Sequence, residues 1–248
     1  MSYKKGVDLS SYQVLTDAEY DALAKAVDFA ILRASFTGYG TGITITYDKQ
    51  FEKHYTELSK RGVPLGAYHY SCANTPDKAR DEAEYFKNRL MDKEFLYPVF
   101  FDVENEKWQG TLSRRELTDV CIAFCESMEK AGYYVGVYAN KYWLAMRLDE
   151  ARLKPYDIWI AHYTDASDES KYKNYALWQH TETGRIPGVT VPLDLNISYI
   201  DYPPIIKRAG LNGVKIYTEF KIQKLNPDEK EIAFIKHILE TFGYKVVT

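Results

Sequence analysis

No uninterrupted apolar run approaches the roughly 18 residues that a membrane-spanning helix needs, so no span is expected. Cysteine is scarce. Cys72, Cys121 and Cys125 are an odd number without metal-binding spacing, and Cys121 and Cys125, four apart in a helical pattern, read as small core residues. So few thiols fit synthesis in a reducing compartment. None of the five His falls in H-E-x-x-H or another paired-ligand spacing, so neither a metal nor a cofactor is expected. Neither a G-x-S-x-G elbow nor a P-loop is present, which argues against serine-hydrolase and nucleotide chemistry of those types. Cations are not in excess either. The formal charge of −3 leaves nothing to neutralise phosphates, and no nucleic acid partner is expected. The first residues, Met1-Ser2-Tyr3-Lys4-Lys5-Gly6, lack the apolar core of a signal peptide. The expectation is cytoplasmic synthesis without a cleaved leader.

What is abundant is tyrosine: 22 Tyr and 4 Trp supply flat faces with polar tips, suited to sugar stacking although most such rings line cores or groove walls. Short β-rich runs alternate with helical patterns through the first 150 residues. Strands are expected at Lys5–Ser10, Asp28–Ser35, Pro64–Cys72, Tyr97–Asn105 and Tyr134–Asn140. Ser113 with Glu116, and Thr75-Pro76-Asp77, mark helix starts between them. Three further strands, Asp157–Tyr163, Tyr175–Thr181 and Val191–Ser198, are joined by loops instead of helices. The expectation is an α/β fold, an eight-stranded (β/α)-barrel with helices after the first five strands, written (β/α)5(β)3.

Pro203-Pro204 is taken as the end of the barrel, giving a 1–204 catalytic domain and a 205–248 extension. Between Lys207 and Thr248 there are eight basic and five acidic residues, a charge of +3. A helix is expected over Pro227–Phe242, with Ile232, Ile235, Ile238, Leu239 and Phe242 on one apolar side. So short a segment rarely folds alone, which makes docking or self-association through it an expectation.

The sharpest chemical signal is Phe101-Asp102-Val103-Glu104. Residues two apart on a strand share a face, so Asp102 and Glu104 lie about 7 Å apart at a strand end. Paired carboxylates suit glycosidic cleavage: one donates a proton, its pKa raised by burial and its neighbour, while the other stays ionised. Alone, D-x-E is as well explained by solvent-facing acids. Two more acids sharpen it. Asp8 in the first strand and Asp194 in the last sit between apolar residues, and in a closed barrel those strands adjoin, so all four acids are expected at one mouth.

Here the sequence resembles glycoside hydrolase family 25, the muramidases of phage endolysins and related wall-degrading enzymes. The likeness is carried by Gly6-Val7-Asp8-Leu9-Ser10-Ser11-Tyr12-Gln13, Ile31-Leu32-Arg33-Ala34-Ser35, Gly66-Ala67-Tyr68-His69-Tyr70, Phe101-Asp102-Val103-Glu104 and Gly136-Val137-Tyr138. It continues in Ile158-Trp159-Ile160-Ala161-His162-Tyr163, Leu177-Trp178-Gln179-His180 and Leu193-Asp194-Leu195-Asn196. The resemblance implies Glu104 as general acid/base, Asp102 as its ionised partner, and Asp8 and Asp194 completing the acidic cluster. It also implies Arg33, Tyr70, Tyr138 and Tyr163 as substrate-binding residues, with bacterial peptidoglycan as the partner. Delivery to the wall would then need another route, such as a phage-encoded pore. One departure, Lys49 where members commonly carry Pro after Asp48, is expected to touch a helix start and not the chemistry. His69 and His180 are expected as hydrogen-bonded groove-wall residues. Two alternatives stand beside this reading. A non-catalytic barrel would gain nothing from clustered acids. A chitinase-like barrel usually shows D-x-x-D-x-D-x-E, and Tyr97–Phe101 supplies no upstream acids.

Overall fold

The computed structural model describes residues 3–38, 44–215 and 228–241. Every strand expected from the sequence forms: β1 (Lys4–Leu9), β2 (Phe29–Thr37), then, past the short β3 (Ile45–Tyr47), β4 (Leu65–Tyr70), β5 (Val99–Asp102), β6 (Val135–Asn140), β7 (Asp157–Ala161), β8 (Leu177–Gly184) and β9 (Leu193–Ser198). The sheet order is β1-β9-β8-β7-β6-β5-β4-β2-β3, and β1 also pairs with β2, which closes eight strands into a barrel. β3 was not anticipated; it hangs antiparallel on the end of β2. From β1 through β8 the barrel strands run parallel, whereas β9 is antiparallel to both β8 and β1.

Five helices follow the first five barrel strands: α1 (Asp17–Ala26), α2 (Phe51–Lys60), α3 (Pro76–Leu90), α4 (Arg114–Lys130) and α5 (Lys141–Arg147). Their starts are chemically explicit. Thr16 with Glu19 and Ser113 with Glu116 form reciprocal capping boxes, and Thr75 caps α3 with Pro76 in its first turn. Each cap satisfies amide N–H groups that have no partner inside the helix.

Alternation along the strands produces two separate cores. Phe101, Val103, Val137 and Leu32 pack outward against Phe86, Val120 and Phe124 of the helices. Phe29, Ile31, Tyr68, Phe100, Tyr138 and Trp159 fill the barrel interior. Glycine makes room for them: a Cβ on Gly6 would lie 2.5 Å from the Phe29 ring, and one on Gly136 2.7 Å from that of Phe100. The interior is thus filled at its base, and polar side chains can converge only at the opposite mouth.

The barrel unit does not end at Pro204. Pro203 and Pro204 occupy the first turn of α6 (Tyr202–Ala209), and the compact unit continues to Val214. The reason is burial beneath the barrel. Tyr202 and Ile206 join the interior core, and the Tyr202 hydroxyl donates to Asp157 Oδ2 at 2.7 Å. Asn212, fully buried at a φ of 58°, accepts from Tyr134 N through its side chain and donates to the Tyr97 carbonyl. A left-handed backbone suits Asn better than most residues. Lys215–Thr248 form a second unit, in which α7 (Glu229–Thr241) begins at a capping pair: Asp228 Oδ1 accepts from Glu231 N at 2.8 Å. Pro227 and Phe242, the expected ends of that helix, lie outside the described residues.

Candidate active site

At the mouth formed by the C-terminal ends of the parallel strands lies a cleft of about 330 Å³, lined among others by Asp8, Asp102, Glu104, Asp194 and Arg33. Its geometry follows from strand register. Asp8 of β1 stands opposite Asp194 of β9. Asp102, the last residue of β5, is flanked in register by Tyr70 of β4 and Tyr138 of β6. Glu104 lies two residues further on, where the chain has left the strand. The four acids singled out in the sequence therefore meet at one site, along with Tyr70, Tyr138 and Tyr163.

A directed hydrogen-bond chain decides where charge sits. The hydroxyls of Tyr138 and Tyr163 both donate to Gln179 Oε1, at 2.8 and 3.0 Å. That turns the Gln179 amide N–H toward Asp8 Oδ2, 2.8 Å away. From the other side Trp159 Nε1 donates to Asn196 Oδ1 and Asn196 Nδ2 donates to Asp8 Oδ2, both at 2.8 Å. Every donor in the chain points at Asp8, an arrangement that favours its carboxylate form. Burial nevertheless raises Asp8 to about 6, against those hydrogen bonds.

Its neighbours are held as acids more firmly. Burial, then the charges of Asp8 and Glu182, push Glu104 up to about 7. Asp194, half-buried, is pushed to about 9 by desolvation and by the charge and hydrogen bond of Asp8. Asp102 is 5% exposed, and its Oδ1 is buried with no hydrogen-bond partner among the described residues. Burial first, then Glu104 and Asp8, raise its pKa well above the usual carboxylate range. Too many carboxyls share too little solvent for all to ionise, and the amide donors select Asp8.

Other expectations also change. Arg33 does line the cleft, but its guanidinium is engaged: Nε bonds Asp48 Oδ2 at 2.8 Å and Nη2 bonds Ser11 Oγ at 2.9 Å. It also lies over the ring of exposed Tyr12, 5.3 Å from the centroid. Asp48 thus does more than start α2. Fully buried, it accepts from Gln50 N at the helix start and ties Arg33 and Ser11 at the cleft edge. His69 is not on the groove wall. Its parity is opposite to that of Tyr68 and Tyr70, so it faces the helices, pairing with Glu82 at 3.2 Å and Ser35 at 2.8 Å. His180 lines a different hollow, with Lys5 and Glu169.

Sequence reasoning had assigned no site role to Gln179, Asn196, Trp159 or Glu182. Asn196 is two residues from Asp194 on one strand, so the same alternation that places the acid places it. Glu182 carried no such signal. The β8–β9 register shifts between Gln179 and Thr181 and again before Gly184, and these irregularities break the alternation that would predict its direction.

Residues 7–189 match the profile of the Glycosyl hydrolases family 25. The Autolytic lysozyme of Clostridium acetobutylicum is 26% identical over 193 residues, covering 77% of this chain and 55% of the lysozyme. Among solved structures, the spore cortex lytic enzyme SleM of Clostridium perfringens superposes with a TM-score of 0.66 at 26% identity, over 79% of this chain and 67% of that one. The CTP1L endolysin gives 0.65 at 28% identity, over 84% and 69%.

Proposed function

The chain belongs to the glycosyl hydrolases of family 25 and is a glycoside hydrolase of lysozyme type, and from that premise we propose that it hydrolyses the β-1,4 bond between N-acetylmuramic acid and N-acetylglucosamine in bacterial peptidoglycan. The observation that carries the reading is the mouth where Asp8, Asp102, Glu104 and Asp194 meet, with Glu104 retaining its proton to about 7. A carboxylic acid that is still protonated near neutrality is what leaving-group protonation requires.

In this mechanism Glu104 gives its proton to the glycosidic oxygen as the bond to the anomeric carbon breaks. The carbonyl oxygen of the sugar's own N-acetyl group attacks that carbon, closing a five-membered ring with positive charge on its nitrogen. Asp102 receives the N–H of that ring through its unpartnered Oδ1. Asp102 acts as a carboxylate, and the positive charge developing beside it offsets the cost of its burial. Glu104, now a carboxylate, takes a proton from water, whose oxygen opens the ring and regenerates the N-acetyl group. Asp8, held by Gln179 and Asn196, keeps Glu104 protonated until the leaving oxygen needs the proton.

Mass spectrometry of products from purified peptidoglycan is expected to show new reducing ends on N-acetylmuramic acid. Reducing N-acetylglucosamine, or peptides released without sugar cleavage, would contradict the assignment.

The pH dependence has a definite sign. The reacting form has Glu104 protonated, so kcat/KM falls as pH rises through about 7, approaching tenfold per unit. It also falls below about 6 as Asp8 takes up a proton. A profile on a soluble glycan should therefore peak between those limits, and activity still rising at pH 9 would refute Glu104 as the acid.

A further inference from the structure

Glu104 stands beyond the end of its strand. The ladder carries Asp102 between Tyr70 and Tyr138, and one more bond follows, from Val103 N to the Tyr138 carbonyl at 3.0 Å. The peptide between Glu104 and Asn105 is held by a side chain instead: Asn105 N donates to Gln109 Oε1 at 3.0 Å. These two bonds bracket Glu104, and the second fixes the plane of the peptide that leaves it. Gln109 is fully buried and does not line the cleft. Its orientation is dictated from behind the sheet. There His69 of β4 meets Glu82 of α3 in a buried pair, Nε2 to Oε2 at 3.2 Å. Burial raises the proton affinity of Glu82, but His69 and the hydroxyls of Ser71 and Thr37 outweigh it and hold the carboxyl below its ordinary pKa. A carboxylate only accepts, so the Ser71 hydroxyl donates to Glu82 Oε2, at 2.5 Å. Ser71 Oγ is left to accept, from Ala73 N at 3.0 Å and from Gln109 Nε2 at 3.2 Å. The Gln109 amide also donates to the Ala73 carbonyl, at 3.2 Å. With both amide protons committed, the Gln109 carbonyl oxygen must face Asn105 N. A flipped amide would set oxygen against oxygen and N–H against N–H.

We propose that Gln109 is a positioning residue for Glu104, holding the peptide that follows the acid through a hydrogen-bond chain anchored on the buried Glu82–His69 pair. The inference rests on the reading of Glu104 as proton donor and goes beyond it by naming what aims the acid. Proton delivery is sensitive to placement, and an error of about 1 Å can cost about 100-fold in rate. A side chain on a strand is placed by the ladder, whereas one beyond the strand end needs a buried supporting shell. The pair behind the sheet is otherwise hard to explain. A buried ion pair is a weak source of stability, because desolvating two charges offsets their attraction. What this one supplies is a fixed direction for each hydrogen bond between α3 and Asn105.

The test gives the full chain two substrates: a soluble peptidoglycan glycan, and a shorter one ending in N-acetylmuramic acid with a β-linked nitrophenyl group. Nitrophenolate departs without taking a proton, so kcat/KM on the second substrate, which reports bond cleavage, does not need a well-placed acid. Gln109→Met keeps the length and nearly the volume of the side chain but lacks the amide. On the glycan its kcat should fall about 10- to 100-fold, with KM within about twofold of wild type. On the nitrophenyl glycoside its kcat/KM should stay within about threefold of wild type. Ser71→Ala removes one of the two acceptors that orient the amide, and should show the same split with a loss of at least about fivefold on the glycan. Circular dichroism verifies folding, and Ser71→Ala decides the matter if Gln109→Met does not fold. Equal losses on both substrates, or a folded variant within about twofold of wild type on the glycan, would overturn the inference while leaving the glycosidase assignment in place. A wild-type enzyme that cleaves neither substrate would overturn the peptidoglycan reading and this inference with it.

Discussion

Replacing Glu104 with Gln is expected to lower kcat on peptidoglycan by a factor between about 10² and 10⁴, the range for losing a general acid. Gln keeps the length and shape of the side chain but has no proton to give to the departing oxygen. Because Glu104 is partly buried beside Asp8 and Glu182, its carboxyl is an electrostatic burden on the fold. The amide lifts that burden. The sign of the stability change follows from linkage. A carboxyl whose folded pKa lies above its unfolded value weakens the fold as pH rises from about 4 toward about 7. The Gln variant should therefore melt at the same temperature as wild type or higher at pH 8, while being nearly inactive. Release of reducing ends and thermal denaturation on one sample separate the two effects. Near wild-type turnover would remove Glu104 from the mechanism altogether, and a variant that lost activity by unfolding would show a lowered melting temperature.

Asp102→Asn is expected to reduce kcat at least about 100-fold with a smaller change in KM, because the interaction it removes matters most in the transition state. The structural basis is the orphaned Oδ1. Burial without a partner costs free energy unless substrate supplies a donor, and the acetamido N–H is a donor of the right kind. Asn has the same outline but cannot carry the negative charge that balances the closing ring. The same mechanism predicts that no sugar becomes covalently attached to Asp102. Incubation of wild type with an activated fluorosugar, followed by intact-protein mass spectrometry, should show no mass increase on the peptide containing Asp102. An adduct there would replace the N-acetyl route with a carboxylate nucleophile, leaving Glu104 as the acid. Wild-type kcat in Asp102→Asn would exclude both routes.

Much of this architecture was legible from residue pattern because it depends on local chemistry. Val99, Phe100, Phe101, Asp102 and Val103 read as a strand through their β-rich composition, and alternation correctly sends Phe100 and Asp102 inward and Phe101 and Val103 outward. Caps such as Ser113 with Glu116 involve residues three apart and need no tertiary information. The barrel boundary was misjudged for the opposite reason. A Pro-Pro pair signals a break, yet prolines are equally at home in a first helical turn, and only the packing of Tyr202 and Ile206 under the barrel distinguishes the two. His69 and His180 were misplaced where alternation should have been applied, since each follows an inward residue and must face away from the groove.

Sequence alone determined the chemical inventory and the element order: four acids, three of them set between apolar neighbours, strands of barrel length, and helices after five of them. It did so because strand and helix periodicities and capping are written in near neighbours. Only the tertiary structure decided how those acids share protons. Asp194 is the second residue of β9, and a parallel strand would have carried it to the base of the barrel; antiparallel pairing with β1 brings it opposite Asp8 at the mouth. Strand direction is settled by how the chain closes on itself, which no local pattern encodes. The ionisation of Asp8 depends on amides from Gln179 and Asn196, 171 and 188 residues away, and the raised proton affinity of Asp102 on its burial and on Glu104 and Asp8 nearby. Proton affinity is a property of the surroundings, and those surroundings exist only once the barrel is closed.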